Sequence, residues 1–223
     1  MTTPFPNLNN LLEEYNSIVA EAQSKAIFVR GIELQKKEVD SLEALSNKIE
    51  QAKIKSIKEE NNDKSNFLLC LELSIEAVKN ELLLIIALKE DKPDIAWDCL
   101  ITAQNLISLS IRNHPFNGDY LLGYAQKLDL YEQTLFPKMM FASRGCVVRK
   151  SKCSICKKKY GDCEHIKGYA YMGELCIEIT NGIVSFEEIS LVENPEDKRC
   201  RIISFNENGK NYDVFSLREI IKK

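Results

Sequence analysis

Apolar residues recur at mixed spacings of three and four in the first part of the chain, which is the period of a helix with one buried face. The series comprises Leu11, Tyr15, Ile18, Ala22, Val29, Ile32, Val39, Leu42, Leu45, Ile49 and Ala52. No proline interrupts it, and Gly31 is its only glycine. One helix from Asn7 or Asn9 to about Glu60 would be roughly 75 Å long at 1.5 Å per residue. That length predicts a coiled-coil-like arm, a partner helix along it, or a break near Gly31.

Three further helical patterns follow the polar segment KEENNDKSN, and they begin at Asp63 or Ser65, at Asp91 and at Asp119. The first of these carries apolar residues on several faces up to Leu88, so we expect it to be largely buried. The second ends before Pro115 and the third before Pro137, since a residue that precedes proline avoids the helical region. Helices with such short connections predict an antiparallel bundle over residues 1–143.

After Lys150 the pattern changes to short runs of β-branched and aromatic residues separated by turns, which predict strands. The runs are YAYMGELCIEIT, GIVSFEEISLVEN and KRCRIISF. Asn208–Gly209 predicts a hairpin between RIISF and YDVFS, and Ser216 to Glu219 fits the capping box of a brief C-terminal helix. We therefore predict an α+β protein, with an N-terminal antiparallel helical bundle whose first helix is long and a small β-rich domain at 144–223.

Three cysteines and a histidine lie close together in the spacing C-x2-C-x6-C-x-H. A two-residue gap lets a tight turn direct Cys153 and Cys156 at one point, and Gly161 allows the chain to return. Cys163 and His165 are two residues apart and share a face of an extended segment. Three thiolates and an imidazole meet the tetrahedral demand of zinc and leave no position for water. We predict one structural zinc ion per chain, bound by these four residues, which staples the β-rich domain.

Other arrangements of this cluster are open from the spacing alone. Cys176 or Cys146 could replace His165 as the fourth ligand in an all-cysteine site. The four residues could also be unrelated side chains of a lysine-rich loop. An open catalytic zinc site is disfavoured, because four protein ligands close the coordination shell.

Basic residues surround the cluster. Between Arg144 and Lys167 eight basic residues stand against Asp162 and Glu164, a local charge of +6 in a chain whose net charge is −3. Such a surface could contact nucleic-acid phosphates, as small zinc knuckles do. The alternative is that the lysines keep an exposed loop solvated or dock on the acidic helical region. The candidate nucleic-acid contacts are Arg149, Lys150, Lys152, Lys157, Lys158 and Lys159.

The overall composition is ordinary for a globular protein, with 44% hydrophobic and 28% charged residues. The start, MTTPFPNLNN, lacks the pattern of a signal peptide, and no apolar run approaches the roughly 20 residues of a membrane span. We therefore expect a cytoplasmic protein without membrane contact. In a reducing compartment, eight cysteines favour metal binding over disulfides.

The last quarter of the chain combines three motifs in order. CSICKKKYGDCEHIKG is followed by the tyrosine–glycine segment YAYMGELC and then by EISLVENP. This order resembles a segment of bacterial and phage proteins that includes capsid-maturation (prohead) protease-like proteins. The resemblance implies a candidate nucleophile at Ser190. The helical part does not resemble that family; chains with a helical front and this tail resemble uncharacterised bacterial proteins, which implies a link to phage defence.

The leading hypothesis is a non-enzymatic, zinc-containing adaptor or accessory subunit of a bacterial multiprotein system, with a role in antiviral defence implied by the resemblance. The helical region would bind a protein partner or a second copy, and the zinc tail would supply a second recognition surface. A nucleic-acid-binding module is the first alternative. A serine hydrolase at Ser190 is the second, but it needs a base: His165 would be bound to zinc, and His114 would have to reach across from the bundle.

Overall fold

Helices occupy the first part of the chain and short strands the rest in the computed structural model, which describes residues 4–221. The α-helices pack antiparallel and are followed by small antiparallel sheets, so the predicted α+β class is confirmed. The helices are α1 Asn9–Ala26, α2 Ile32–Lys58, α3 Asn62–Lys89, α4 Pro93–Asn113 and α5 Leu122–Leu135, with 3-10 turns at Pro6–Leu8 and Asp119–Leu121.

The long apolar series of the N-terminal region is divided between two helices. α1 ends at Ala26 and α2 begins at Ile32, with Gly31 in an extended conformation before it. The Gln35 side-chain amide donates to the Ala26 carbonyl at 2.6 Å, which satisfies one of the carbonyls that a helix leaves open at its C-terminus. The single 75 Å helix is therefore not formed, and the break near Gly31 is the alternative that the structure has. α1 and α2 share one hydrophobic cluster with α3.

α3 lies at the centre of the bundle and is largely buried, as its apolar pattern predicted. One of its sides belongs to a first hydrophobic cluster, formed with α1 and α2, that contains Leu12, Tyr15, Leu42, Leu45, Ile49, Leu68, Leu71 and Ile75. Its other side belongs to a second cluster that contains Ala77, Leu84, Trp97, Leu100, Ile101, Leu128, Phe136 and Phe141. Within residues 4–221, no helix has both the length and the apolarity that crossing a lipid bilayer requires.

The strands pair into two-stranded antiparallel sheets, β1 with β6, β2 with β5, β3 with β4 and β7 with β8. The strands are β1 Phe141–Val148, β2 Lys152–Cys153, β3 Ala170–Tyr171, β4 Glu174–Leu175, β5 Glu178–Ile179, β6 Ile183–Val192, β7 Ser204–Glu207 and β8 Lys210–Asp213. Asn208 and Gly209 have φ of +51° and +80° and join β7 to β8, so the predicted hairpin is confirmed.

The predicted C-terminal helix is wrong, because residues 216–219 are not helical. Ser216 donates both its N–H and its hydroxyl to the Asp213 carboxylate, each at 2.7 Å, instead of capping a helix. Glu219 forms an isolated bridge with Tyr212 of β8. The segment therefore continues the β-rich part of the chain.

β1 and β6 form an antiparallel ribbon, and β1 is a strand that the hydrophobic pattern did not predict. It crosses the predicted boundary between residues 143 and 144, and its first residue, Phe141, lies in the second cluster of the bundle. Phe141 pairs with Val192 at one end of the ribbon, and Val148 pairs with Ile183 at the other. The segment between the two strands, residues 149–182, carries the cysteine–histidine cluster.

Candidate metal centre

The four predicted ligands, Cys153, Cys156, Cys163 and His165, come together in the structure. Their ligand atoms all lie within 4.8 Å of one another, an arrangement that could hold a metal ion. Cys153 ends β2, and the N–H of Lys157 donates to its carbonyl at 3.0 Å, which closes the two-residue turn between the first two thiols. The spacing therefore predicted which side chains would converge.

The return of the chain to Cys163 depends on two residues in the left-handed region. Lys157 has a φ of +62° and Gly161 a φ of +93°. Only glycine adopts such angles without a steric cost, which explains the glycine at the tip of the excursion. The N–H of Tyr160 donates to the Ser151 carbonyl at 2.9 Å and fixes the loop against its own start.

His165 is oriented by its neighbours and carries an unsatisfied nitrogen. Its ring packs edge-on against Tyr171, with the ring centroids 4.6 Å apart. Its Nδ1 is buried and has no hydrogen-bond partner in the described part of the chain. Leaving a buried polar atom unpaired costs about 1–3 kcal/mol, and coordination to a metal would remove that cost. Three thiols and an imidazole are donors that zinc prefers, so the residues fit this ion.

A fifth donor lies against the cluster. Cys176 is fully buried, and its Sγ is 3.7 Å from the Sγ of Cys153. Its N–H donates to the Tyr169 carbonyl and its carbonyl accepts from the Gly168 N–H, both at 2.8 Å. Cys146, by contrast, is exposed on β1 and is not part of the cluster. Of the two alternative fourth ligands, the structure thus places only Cys176 beside the predicted four.

The thiols of the cluster differ in acidity. Burial opposes ionisation of Cys153, but backbone N–H groups of the turn that follows and the neighbouring thiols lower its pKa to about 6. Burial, together with the adjacent Cys153, raises the pKa of Cys176 to about 11. At Cys163 a hydrogen bond from the His165 N–H favours the thiolate, yet burial and the nearby Cys153 and Cys156 thiols raise its pKa overall. Of these three thiols, Cys153 therefore has the lowest pKa.

The end of α4 holds the segment that follows the cluster. Asn113 donates to the Gly168 carbonyl at 2.9 Å and accepts from the Ala170 N–H at 2.7 Å. One side-chain amide thus pairs with a backbone carbonyl just before β3 and with the first N–H of β3. Without Asn113, both groups would need water as a hydrogen-bond partner. Sequence reasoning missed this contact, because Asn113 and Ala170 are far apart along the chain.

The start of α3 holds the turn between β3 and β4. Asn62 accepts from the Met172 N–H at 3.0 Å, and Asn66 accepts from the Gly173 N–H at 2.8 Å. Gly173 has a φ of +76°, and a Cβ on it would lie 3.2 Å from Cγ of Lys53. The backbone angle therefore favours glycine, and a Cβ would also make a tight contact with the Lys53 side chain. The cluster is joined to the bundle at the ends of two helices.

The six basic residues proposed for nucleic-acid contact are all exposed. Lys159 forms an ion pair with Asp162 at 3.5 Å, and Lys157 donates to the Ser154 carbonyl. A backbone bridge sets Lys152 beside Lys159. Across residues 4–221, no ion pair or side-chain hydrogen bond engages Arg149, Lys150, Lys152 or Lys158.

The structure does not bring the residues of the hydrolase hypothesis into hydrogen-bond contact. Ser190 lies in β6 opposite Ser143. The His114 ring packs against Phe67 and Tyr120 in the bundle, and its Nδ1 accepts from a backbone N–H two residues on. Burial lowers the pKa of His114. Within the described residues, Ser190 has no hydrogen bond to either histidine.

Comparison of the chain with family models, with curated proteins and with solved structures gives no match in any of the three. The resemblance of the C-terminal quarter to prohead-protease-like proteins therefore stays a prediction.

Proposed function

We propose that the chain is a non-enzymatic adaptor or accessory subunit in which a structural zinc ion holds a protein-binding surface in place. Cys153, Cys156, Cys163 and His165 would bind the ion. Four protein ligands leave no coordination position for water or substrate, which supports a structural role. When bound, zinc supplies folding free energy to the segment that contains its ligands.

The observation that carries this proposal is the uncovered apolar face of the ribbon. Side chains of directly opposed residues point to the same face of a sheet, and successive residues alternate. Phe141 and Val192 share the face that enters the core of the bundle. The opposite face, named here the outer face, carries Ala142, Arg144, Cys146, Val148, Ile183, Phe186, Ile189 and Leu191.

Two irregularities in the pairing put these residues together. Register shifts occur between Gly145 and Cys146 and between Val147 and Val148. At each shift one residue of β6 has no partner on β1. Phe186 and Ile183 thereby join Ile189 on one face. Their exposed fractions are 62%, 48% and 75%. Exposed apolar side chains on one face of a sheet are typical of a protein-interaction site, which supports the proposal.

Charge on the outer face indicates the chemistry of the partner. The guanidinium of Arg144 lies 5.9 Å from the centroid of the Phe186 ring, and no carboxylate within the described residues pairs with it. An apolar partner surface would desolvate this cation, and the free-energy cost would be offset only by an opposite charge on the partner. We therefore assign the outer face to a protein partner that presents apolar side chains and a carboxylate opposite Arg144.

The test compares substitutions on the two faces of the ribbon. Tagged full-length chain is used for quantitative capture from an extract of its own host, with Ile189→Asp and Arg144→Glu as test variants. Val147→Asp is the matched control, since Val147 is 42% exposed on the other face. We expect one protein to be captured by wild type and control and about 10-fold less by Ile189→Asp.

Three outcomes would contradict the proposal. Equal capture by all variants would place the partner elsewhere. A monomer that captures nothing would remove the adaptor role. A dimer in light scattering that Ile189→Asp dissociates would mean that a second copy covers the outer face. Zinc content of every variant is measured in parallel, because a change there would report on the cluster and not on the ribbon.

Nucleic-acid binding is the second candidate function, and the unpaired basic side chains beside the cluster favour it. Counterion release makes such binding weaken steeply with salt. Affinity for RNA and DNA is measured against salt for wild type and for the Lys157→Glu, Lys158→Glu, Lys159→Glu triple variant. A steep salt dependence that the triple variant loses would support this function, and equal weak binding by both proteins would exclude it.

A further inference from the structure

The cluster contains more donors than one zinc ion uses. Zinc in structural sites takes four ligands. The predicted four are joined by Cys176, whose thiol is fully buried beside Cys153. Its neighbour Ile177 is held against Ser154, the residue after Cys153: the Ser154 N–H donates to the Ile177 carbonyl at 3.0 Å, and the Ile177 N–H donates to the Ser154 hydroxyl at 2.8 Å.

The sulfur separation suits coordination of both thiols to one ion. Four sulfurs at a Zn–S distance of about 2.3 Å in a tetrahedron lie about 3.8 Å apart. The Sγ atoms of Cys153 and Cys176 are 3.7 Å apart. His165 is the other candidate, because one of its ring nitrogens lies within 4.8 Å of the three thiols, and its buried Nδ1 lacks a hydrogen-bond partner within residues 4–221. Cys176 is outside the set of four donors whose ligand atoms all lie within 4.8 Å of one another, but its thiol touches that of Cys153, so both side chains are candidates for one position.

We propose that the fourth position of the zinc site is redundant: Cys153, Cys156 and Cys163 are constant ligands, and either His165 or Cys176 completes the tetrahedron. This inference rests on the proposed zinc binding. Zn²⁺ has no geometric preference from its d electrons, so replacement of imidazole by thiolate preserves the coordination number and shape. The site then has two closed forms that differ in ligand and by one unit of charge.

The experiment loads full-length variants with Co²⁺, which reports thiolate ligands through sulfur-to-metal charge-transfer absorption. His165→Phe removes the imidazole donors but keeps a ring against Tyr171. We expect it to retain one metal per chain, with affinity reduced no more than about 10-fold and charge-transfer intensity per metal raised by about one third, from three thiolates to four. Cys176→Ser should also retain the metal, through His165.

The double variant decides between redundancy and a fixed ligand set. His165→Phe with Cys176→Ser should bind at least about 100-fold more weakly than either single variant. Cys200→Ser removes an exposed cysteine that is not part of the cluster and is the matched thiol control. Helix content by circular dichroism confirms that the bundle is folded, and His165→Asn replaces the Phe variant if that protein misfolds.

Each remaining outcome overturns a distinct statement. Loss of metal in a folded His165 variant, or in Cys176→Ser alone, would show that the fourth ligand is not exchangeable. Retention of metal in the double variant would show that neither residue is the fourth ligand. Absence of metal binding by wild type would instead overturn the proposed zinc site itself, so the two failures are distinguishable.

Discussion

The bundle and the β-rich part of this protein are held together in different ways. The bundle buries two large hydrophobic clusters that meet at α3. Among the residues described after Met139, the buried side chains are Phe141, Cys153 and Cys176. Phe141 belongs to a cluster of the bundle, and the other two are thiols of the candidate metal centre. The β-rich part, as far as residue 221, therefore has no hydrophobic core of its own.

This difference shows how a segment without a core can keep a defined surface. Apolar burial stabilises a fold by about 25 cal/mol per Å² of buried area. Small two-stranded sheets with exposed faces bury too little apolar area to be stable in this way. Metal ligation at the candidate centre would replace apolar burial in part, together with hydrogen bonds to a pre-formed neighbour. Asn62, Asn66 and Asn113 provide the second of these at the ends of two helices. The comparison predicts that the two parts respond differently to the same perturbation.

Metal removal should have the largest effect and should be confined to the β-rich part. Structural zinc in small modules contributes about 10–16 kcal/mol of binding free energy, which is free energy of folding. We expect chelation, or Cys163→Ser, to unfold residues 151–179 while the helices remain. Hydrogen exchange would show fast exchange in that segment and unchanged protection in α3. Equal protection of the segment with and without metal would contradict the comparison.

A core truncation should do the reverse. Leu100 is fully buried in the second cluster, and Leu100→Ala should lower the free energy of unfolding of the bundle by about 2–5 kcal/mol. Zinc content should stay at one per chain. Leu122→Ala, at a residue that is 45% exposed on α5, is the matched control and should change stability by less than about 0.5 kcal/mol. Denaturant unfolding followed by helix content measures both.

Loss of one asparagine should have the smallest effect on stability and should weaken the contact between the bundle and the β-rich part. Asn113→Ala leaves a carbonyl and an N–H of the 168–170 segment without their partner, at a cost of about 1–3 kcal/mol. We expect faster exchange of the Ala170 amide with zinc content and helix stability unchanged. Asn206→Ala, at an exposed residue of β7, is the control for the substitution itself. Unchanged exchange at Ala170 would mean that the metal alone fixes this segment.

Local patterns predicted much of this structure, and distant pairing explains the rest. The ligand cluster, the buried α3 and the Asn208–Gly209 turn each depend on residues close in sequence. β1 escaped prediction because Arg144 and Gly145 interrupt its apolar pattern and its partner β6 is distant along the chain.

The asparagine contacts and the place of Cys176 also arise only when separate elements meet. The capping-box prediction at Ser216 is wrong for a local reason, because the N–H and hydroxyl of Ser216 donate to the Asp213 carboxylate.

The ribbon has a consequence for how the metal is gained and lost. Val148 and Ile183 pair at its far end, so residues 149–182 form a loop whose ends are already closed. Pairing of β1 with β6 therefore offsets the entropic cost of closing that loop, and metal binding does not have to. Ligands tethered in this way stay at an effective concentration in the millimolar range. A chain that had released the proposed zinc ion would therefore keep its donors close to one another and recapture the ion quickly, whereas a single cut inside the loop would leave the donors on two segments joined only by the β1–β6 pairing.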